Sequence, residues 1–318
     1  MSQTDRLAPW LDYVAAQVRE AGDLTPAHPP GVQPPRLPLR GKLVRARLLL
    51  LAADALGVLD RPAADLAAGV EMIHNASLLH DDVIDQATMR RGETAVYRAN
   101  GNRFAIMAGD VCFSKAMELI CRANCLPVHQ AVARAVADLS TGQLTEWVRR
   151  GDAAMSFADY FDIVDRKTGA LIALCLETPG ILAGLAAAPV GALHDAGRLL
   201  GRAFQIADDM LDLDAEQAET GKDVYADLAE GKPTYPYLLI LHGGDRRAAA
   251  LVRRALGDPH FPAAELRAAI FANGLRQDVQ TFLRDCVERS RAMLEPVFGP
   301  VSTVGLFRHF EDLAFRRR

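Results

Sequence analysis

ASLLHDDVID, residues 76–85, and AFQIADDMLD, residues 203–212, each lead an apolar helical run into the pattern Asp-Asp-x-x-Asp. The first and last aspartates of each pattern are four positions apart, so Asp81 with Asp85, and Asp208 with Asp212, fall on one helical face. Asp82 and Asp209 lie to the side. Like charges at this spacing cost an isolated helix roughly 0.2–0.5 kcal/mol, and Asp is itself a weak helix former. An apolar setting adds to the cost, because a partly buried carboxylate needs a cation or hydrogen-bond donors. Hard divalent cations supply that need. Magnesium combines one or two carboxylates with phosphate oxygens and water, so two such clusters can hold a diphosphate through several ions. A single copy of the pattern could be an ordinary acidic helix end. Two copies in matching apolar contexts argue for a shared role.

Outward from the clusters, the 318-residue chain is half hydrophobic and only 6% aromatic, with Ala and Leu dominant, a composition that favours helices over sheets. Apolar spacing predicts helices near 42–56, 63–85, 103–122, 128–150, 157–186, 191–214, 234–257, 262–273 and 276–296. An N-terminal amphipathic helix precedes a proline-rich connection, PAHPPGVQPPRLP, within residues 1–40. MRRGETAVYRANGN, residues 89–102, reads as a charged loop. AEQAETGKDVYADLAEGKPT, residues 215–234, reads as a long polar loop of the kind that carries function. No strand is suggested. The expectation is an all-α, single-domain chain over residues 1–318.

A net charge of −4 provides no general field for nucleic acid or an anionic membrane, so each local cluster of Lys and Arg is informative. The five cysteines are odd in number and scattered, which fits a reducing, cytoplasmic setting. Cys121, Cys125 and His129 share a helical face, but Pro127 interrupts it and no fourth metal ligand stands nearby. The N-terminus lacks the pattern of a signal peptide, and the longest apolar stretches carry polar, Pro or Gly interruptions, so no membrane span is expected.

LLHDDVIDQATMRRGETAVY resembles the first aspartate-rich motif of the trans-isoprenyl diphosphate synthases, the polyprenyl synthetase family. GRAFQIADDMLD, with GKD and GKPT after it, resembles the second. The likeness runs in order from about Gly41 to Pro236. It implies an isoprenoid-synthase-type helical bundle around a central cavity, and a prenyltransferase that condenses isopentenyl diphosphate with an allylic diphosphate, head to tail and trans. It also implies magnesium ions at Asp81, Asp82, Asp85, Asp208, Asp209 and Asp212. Lys42, Arg45, His74 and Arg91 would bind isopentenyl diphosphate. Arg90, Lys167, Thr168, Gln205, Lys222 and Lys232 would bind the allylic diphosphate. Asp81, Asp85, Asp208 and Lys167 would carry the catalysis. The family segment GGKRxRP is here Arg40-Gly41-Lys42-Leu43-Val44-Arg45-Ala46, without its first Gly, first Arg and Pro, so the resemblance does not fix the shape of this segment. A homodimer is a further implication. Arg316-Arg317-Arg318 reads as a solvated tail.

The growing product must run between helices, and residues one turn before Asp81 lie roughly 5.4 Å deeper. In the family, bulky aromatics there stop elongation early. Here the positions are the small Ala76 and Ser77, and the first motif has no two-residue insertion, which favours medium or long products. Met72, Phe113 and Met117 are candidate deeper stops and equally ordinary core residues. Other readings stay open: a short-chain farnesyl or geranylgeranyl diphosphate synthase, a class I terpene cyclase or head-to-head condensing enzyme of the same helical architecture, and a non-catalytic partner subunit. Paired aspartate clusters disfavour the cyclase, and the presence of all six aspartates disfavours the partner subunit.

Overall fold

The computed structural model describes residues 3–24, 37, 39, 41–213, 225–261, 266 and 274–314. The proline-rich segment, Lys222, the predicted helix at 262–273 apart from Leu266, and the terminal arginines lie outside the described residues. The chain forms two compact units, Met1–Ala133 with Leu174–Val190, and Arg134–Ala173 with Gly191–Arg318.

The first unit is built on α1 (Gln3–Ala21), α2 (Val44–Ala55), α3 (Arg61–Ile84), α4 (Val96–Asn100) and α5 (Asn102–Cys121). Asp60 starts α3 by accepting the Ala63 N–H at 3.0 Å, with Pro62 in the first turn. The helix is buried nearly all round, as its Ala- and Gly-rich sequence permits. Packing of α3 on α5 is close because side chains are missing at two crossings. A Cβ on Gly69 would stand 2.6 Å from Ile120 Cγ1, and one on Gly109 would stand 2.3 Å from His80 Nε2. Leu66, Met72 and Ile73 are fully enclosed here, each contributing about 1.5–3 kcal/mol by leaving water. On α1, Arg6 donates to both carboxylate oxygens of Asp54 at 2.9 and 2.8 Å.

The charged loop after α3 is more ordered than its sequence suggests. Met89–Arg90 (β1) and Glu93–Thr94 (β2) pair antiparallel, followed at once by α4. This corrects the expectation of no strand. Arg91 and Gly92 both have positive φ, 52° and 80°, which makes a two-residue type I′ turn. Glycine suits that geometry, whereas an arginine in it costs roughly 1–2 kcal/mol.

The second unit contains α7 (Phe157–Val164), a π-helical turn (Asp165–Gly169), α10 (Ala226–Ala229), α11 (Tyr235–Leu241), α12 (Arg246–Ala255), α13 (Leu275–Phe298) and α14 (Pro300–Ala314). Three helices, α6 (Leu126–Val148), α8 (Ala170–Leu182) and α9 (Ala187–Asp212), give residues to both units. The helix expected over 157–186 is therefore three segments. Its start is fixed by a capping box, in which Ser156 accepts the Asp159 N–H and Asp159 accepts the Ser156 N–H, both at 3.1 Å. The π turn interrupts it where Gly201 of α9 comes so near that a Cβ there would meet the Gly169 Cα at 2.4 Å. The helix expected over 234–257 breaks at Gly243-Gly244, and Asp245 then caps α12 by accepting from the Arg247 and Ala248 N–H groups at 2.9 and 3.0 Å.

Among the described residues no helix is long and apolar enough to cross a membrane. Cys112, Cys121, Cys125, Cys175 and Cys286 are free thiols.

Candidate active site

The first group of predicted residues gathers where α3 ends. Asp82 is buried, and Arg90 reaches back from the hairpin to place Nε 2.8 Å from Asp82 Oδ1, with Nη2 on the same oxygen. Asp81 and Asp85 are less enclosed, and the Asp85 N–H closes the helix on the Asp81 carbonyl at 2.8 Å. Arg91 turns elsewhere: its Nη1 donates to Asn75 Oδ1 at 3.2 Å. Its guanidinium also covers Gly41, where a Cβ would lie 3.3 Å from Nη2. Lys42 is exposed just before α2, and Arg45 stands in the first turn of that helix, its buried Nε without a hydrogen-bond partner among the described residues. A partly open pocket is lined by Asn75, Leu79, Asp82, Arg90 and Arg91 among others.

His74 faces the same charges. Burial first, then Arg45, Arg91 and Arg90, hold its pKa well below the usual imidazole value, so it is neutral at physiological pH. Burial also lowers Arg45 and Arg91, opposed in both cases by the nearby Glu71 carboxylate. Glu71 is itself buried and accepts the Ala46 N–H at 3.0 Å, capping α2 from α3.

The second group lies at the end of α9. Asp208 is exposed, whereas Asp209 is buried and both its oxygens are engaged, by Tyr160 Oη at 2.5 Å and Gln205 Nε2 at 2.9 Å. Gln205 in turn accepts from Thr168 Oγ1 at 2.7 Å. Asp212 accepts the N–H groups of Ala226 and Asp227 at 2.9 and 3.3 Å. Lys167 points from the π turn to Glu146 at 2.5 Å, and Lys232 pairs with Glu230 at 2.6 Å. The π turn is anchored by Asp165, a buried carboxylate held by Arg202 at 2.7 and 2.6 Å and also by Arg198.

These carboxylates crowd one another. Burial pushes Asp209 up to about 7, with Asp208 adding to the rise and the Gln205 and Tyr160 hydrogen bonds opposing it. Burial likewise raises Asp212 to about 6 and lifts Asp227 well above the usual carboxylate range, the latter also through Asp212 and Asp209. Such a group has more negative charge than its own donors satisfy, which is the condition a divalent cation relieves. Among the described residues no three His, Cys, Asp or Glu side chains converge to hold an ion unaided.

The sequence reading missed Glu71, Asn75, Glu146, Tyr160 and Asp227. Glu71 and Asn75 had a signal, since with Asp82 they put polar groups on one stripe of an apolar helix. Glu146 and Tyr160 are tied to the site only by folding. Of the positions tied to product length, Met72 and Ala76 are buried on α3, Ser77 is half-buried with its hydroxyl on the His74 carbonyl at 2.9 Å, and Phe113 and Met117 are half-buried on α5.

The family model described as polyprenyl synthetase matches residues 36–271. An octaprenyl diphosphate synthase of Haemophilus influenzae is 38% identical over 216 residues, 68% of this chain and 66% of that protein, so the alignment spans slightly under two-thirds of the relative. A crystal structure of a decaprenyl diphosphate synthase from Rhodobacter capsulatus is 27% identical and matches with a TM-score of 0.86 over 98% of this chain and 97% of that one. A polyprenyl synthase from Caulobacter crescentus, complexed with calcium and isoprenyl diphosphate, is 29% identical with a TM-score of 0.86 over 99% and 98% of the two chains.

Proposed function

The chain belongs to the polyprenyl synthetase family, and on that premise we propose that it is a chain-elongating polyprenyl diphosphate synthase, joining isopentenyl diphosphate to an allylic diphosphate with magnesium. It is a prenyltransferase of isoprenoid biosynthesis with a medium- or long-chain product, as the octaprenyl and decaprenyl names of its relatives support. The observation that carries the reading is that each aspartate cluster is built together with its own cations. Arg90 is bonded to Asp82 of the first and Arg91 lies within electrostatic reach of the same carboxylate, while Lys232 acts on Asp227 beside the second and Lys167 is held by Glu146, which also faces Asp227.

Asp81, Asp82, Asp85, Asp208, Asp209 and Asp212 are the residues that would hold magnesium. When bound, magnesium supplies charge stabilisation for the departing diphosphate. Arg90, Lys167, Thr168, Gln205, Lys222 and Lys232 bind the allylic diphosphate and orient it for ionisation, their charges and donors stabilising the leaving group. Lys42, Arg45, His74 and Arg91 hold the second diphosphate, and a phosphate oxygen would satisfy the orphaned Nε of Arg45. Neutral His74 contributes a hydrogen bond there rather than a charge. The isopentenyl alkene attacks the allylic cation, forming the new carbon–carbon bond, and the proton then lost goes to the released diphosphate. Apolar residues of α3 and α5 keep water from the cation, and small Ala76 and Ser77 leave room for the chain, with Met72, Phe113 and Met117 as deeper stops.

The two compact units act as one prenyltransferase domain, a reading supported by the three helices that contribute to both. A homodimer in the cytoplasm fits the apolar Ile106 and Met107 exposed on α5 and the free cysteines. The test is to incubate the purified chain alone with isopentenyl diphosphate, a short allylic primer and magnesium. Chain-extended product supports the proposal, whereas turnover only after adding a second protein would make this chain a partner subunit.

A further inference from the structure

Arg90 and Arg91 are adjacent in sequence yet serve different diphosphates in the function proposed above, and something must separate them. The hairpin does part of this, since its type I′ turn sends the two side chains to different partners. Asp82 takes Arg90. Arg91 goes to Asn75, two helical turns earlier on α3.

Asn75 is 5% exposed, and its orientation is set from within the helix, because Nδ2 donates to the Glu71 carbonyl at 2.8 Å. With the NH₂ group committed there, Oδ1 faces the pocket and accepts from Arg91 Nη1 at 3.2 Å. The residue thus gives the arginine an acceptor without adding negative charge that would compete with a diphosphate. Glu71, which supplies that carbonyl, uses its side chain to fix the Ala46 N–H at 3.0 Å, next to Arg45. One turn of α3 therefore positions both the hairpin arginine and the start of α2. The φ of 52° at Arg91 gives the anchor a further purpose, since a side chain on a strained turn is held only if its surroundings over-determine it.

We propose that Asn75 is a positioning residue that commits Arg91 to the isopentenyl diphosphate pocket and keeps it apart from Arg90 and the allylic diphosphate. The proposal rests on the prenyltransferase reading and concerns only the division of labour between the two arginines.

The test is a double-mutant cycle with Asn75→Leu and Arg91→Ala, with KM measured separately for isopentenyl diphosphate and for the allylic primer. Asn75→Leu is expected to raise KM for isopentenyl diphosphate about five- to tenfold, within the range of one ordinary intramolecular hydrogen bond, with the allylic KM and kcat within about twofold. In the Arg91→Ala background the same substitution should add almost nothing. If Asn75→Leu does not fold, Asn75→Thr replaces it, since its hydroxyl can still return to the Glu71 carbonyl but carries no amide oxygen for Arg91. An unchanged KM, equal rises for both substrates, or an effect that persists in full without Arg91 would overturn the proposal. A wild-type chain inactive on both substrates would overturn the prenyltransferase reading instead.

Discussion

Tyr160 donates its hydroxyl to Asp209 across 2.5 Å, and both residues are buried. The bond joins α7 to the end of α9 and holds the aspartate together with Gln205. Replacing Tyr160 with Phe leaves a buried carboxylate one donor short. The expected loss is about 1.5–3 kcal/mol of unfolding free energy near neutral pH, measured by denaturant titration. A loss below a few tenths would show that Asp209 does not depend on this bond.

The raised carboxylates give stability a definite pH slope. Asp209, at about 7, and Asp212, at about 6, hold protons in the folded chain that the unfolded chain releases above its ordinary carboxylate pKa. Their contribution is fully favourable below about pH 4 and is lost as pH rises through those folded values. Cation binding runs the other way, since it requires the charged forms. Magnesium with a non-reactive diphosphate should therefore raise Tm more at about pH 8 than at about pH 5. A larger gain at the lower pH would count against these carboxylates as the cation holders.

Asp81→Ala and Asp208→Ala should each lower kcat by roughly 10²–10³, the scale of removing one preorganised stabiliser of a leaving group, with far-UV circular dichroism unchanged. Near-wild-type turnover in either variant would remove that cluster from the metal site.

Lys167 is held by Glu146 in a pair whose side chains are 21% and 20% exposed. Lys167→Met should lower kcat/KM for the allylic substrate by roughly ten- to a hundredfold and leave KM for isopentenyl diphosphate nearly unchanged. Losses of equal size for both substrates, measured in the same steady-state series, would place Lys167 outside the allylic pocket.

Ala76 is 2% exposed and Ser77 is half-buried. Phe at either position should shorten the product. Ala76→Phe should also cost about 1–3 kcal/mol in stability through overpacking, and Ser77→Phe less. Unaltered product length in both variants would mean that the chain does not pass this turn of α3.

The helical class and the two aspartate clusters were legible because they are local. The period of apolar residues and the four-residue spacing of Asp81 with Asp85 and Asp208 with Asp212 need no tertiary knowledge. The hairpin at 89–94 was missed because its strands are two residues long and its turn places an arginine where glycine or asparagine is usual. The π turn at 165–169 was missed because apolar periodicity runs through it, and the close approach of Gly201 to Gly169 that accompanies it comes from another helix. Partners such as Glu146 for Lys167 and Tyr160 for Asp209 are set by packing, so neither could be read from spacing. The aspartates also differ more than their repeated pattern implies. The middle residue of each cluster is buried and hydrogen-bonded within the protein, while Asp208 is exposed.

The most direct measurement is mass analysis of the products formed by the purified wild-type chain from isopentenyl diphosphate, magnesium and a short allylic primer. The account predicts all-trans diphosphates longer than geranylgeranyl diphosphate, growing by single isoprene units. Products that stop at farnesyl or geranylgeranyl diphosphate with isopentenyl diphosphate in excess would contradict it.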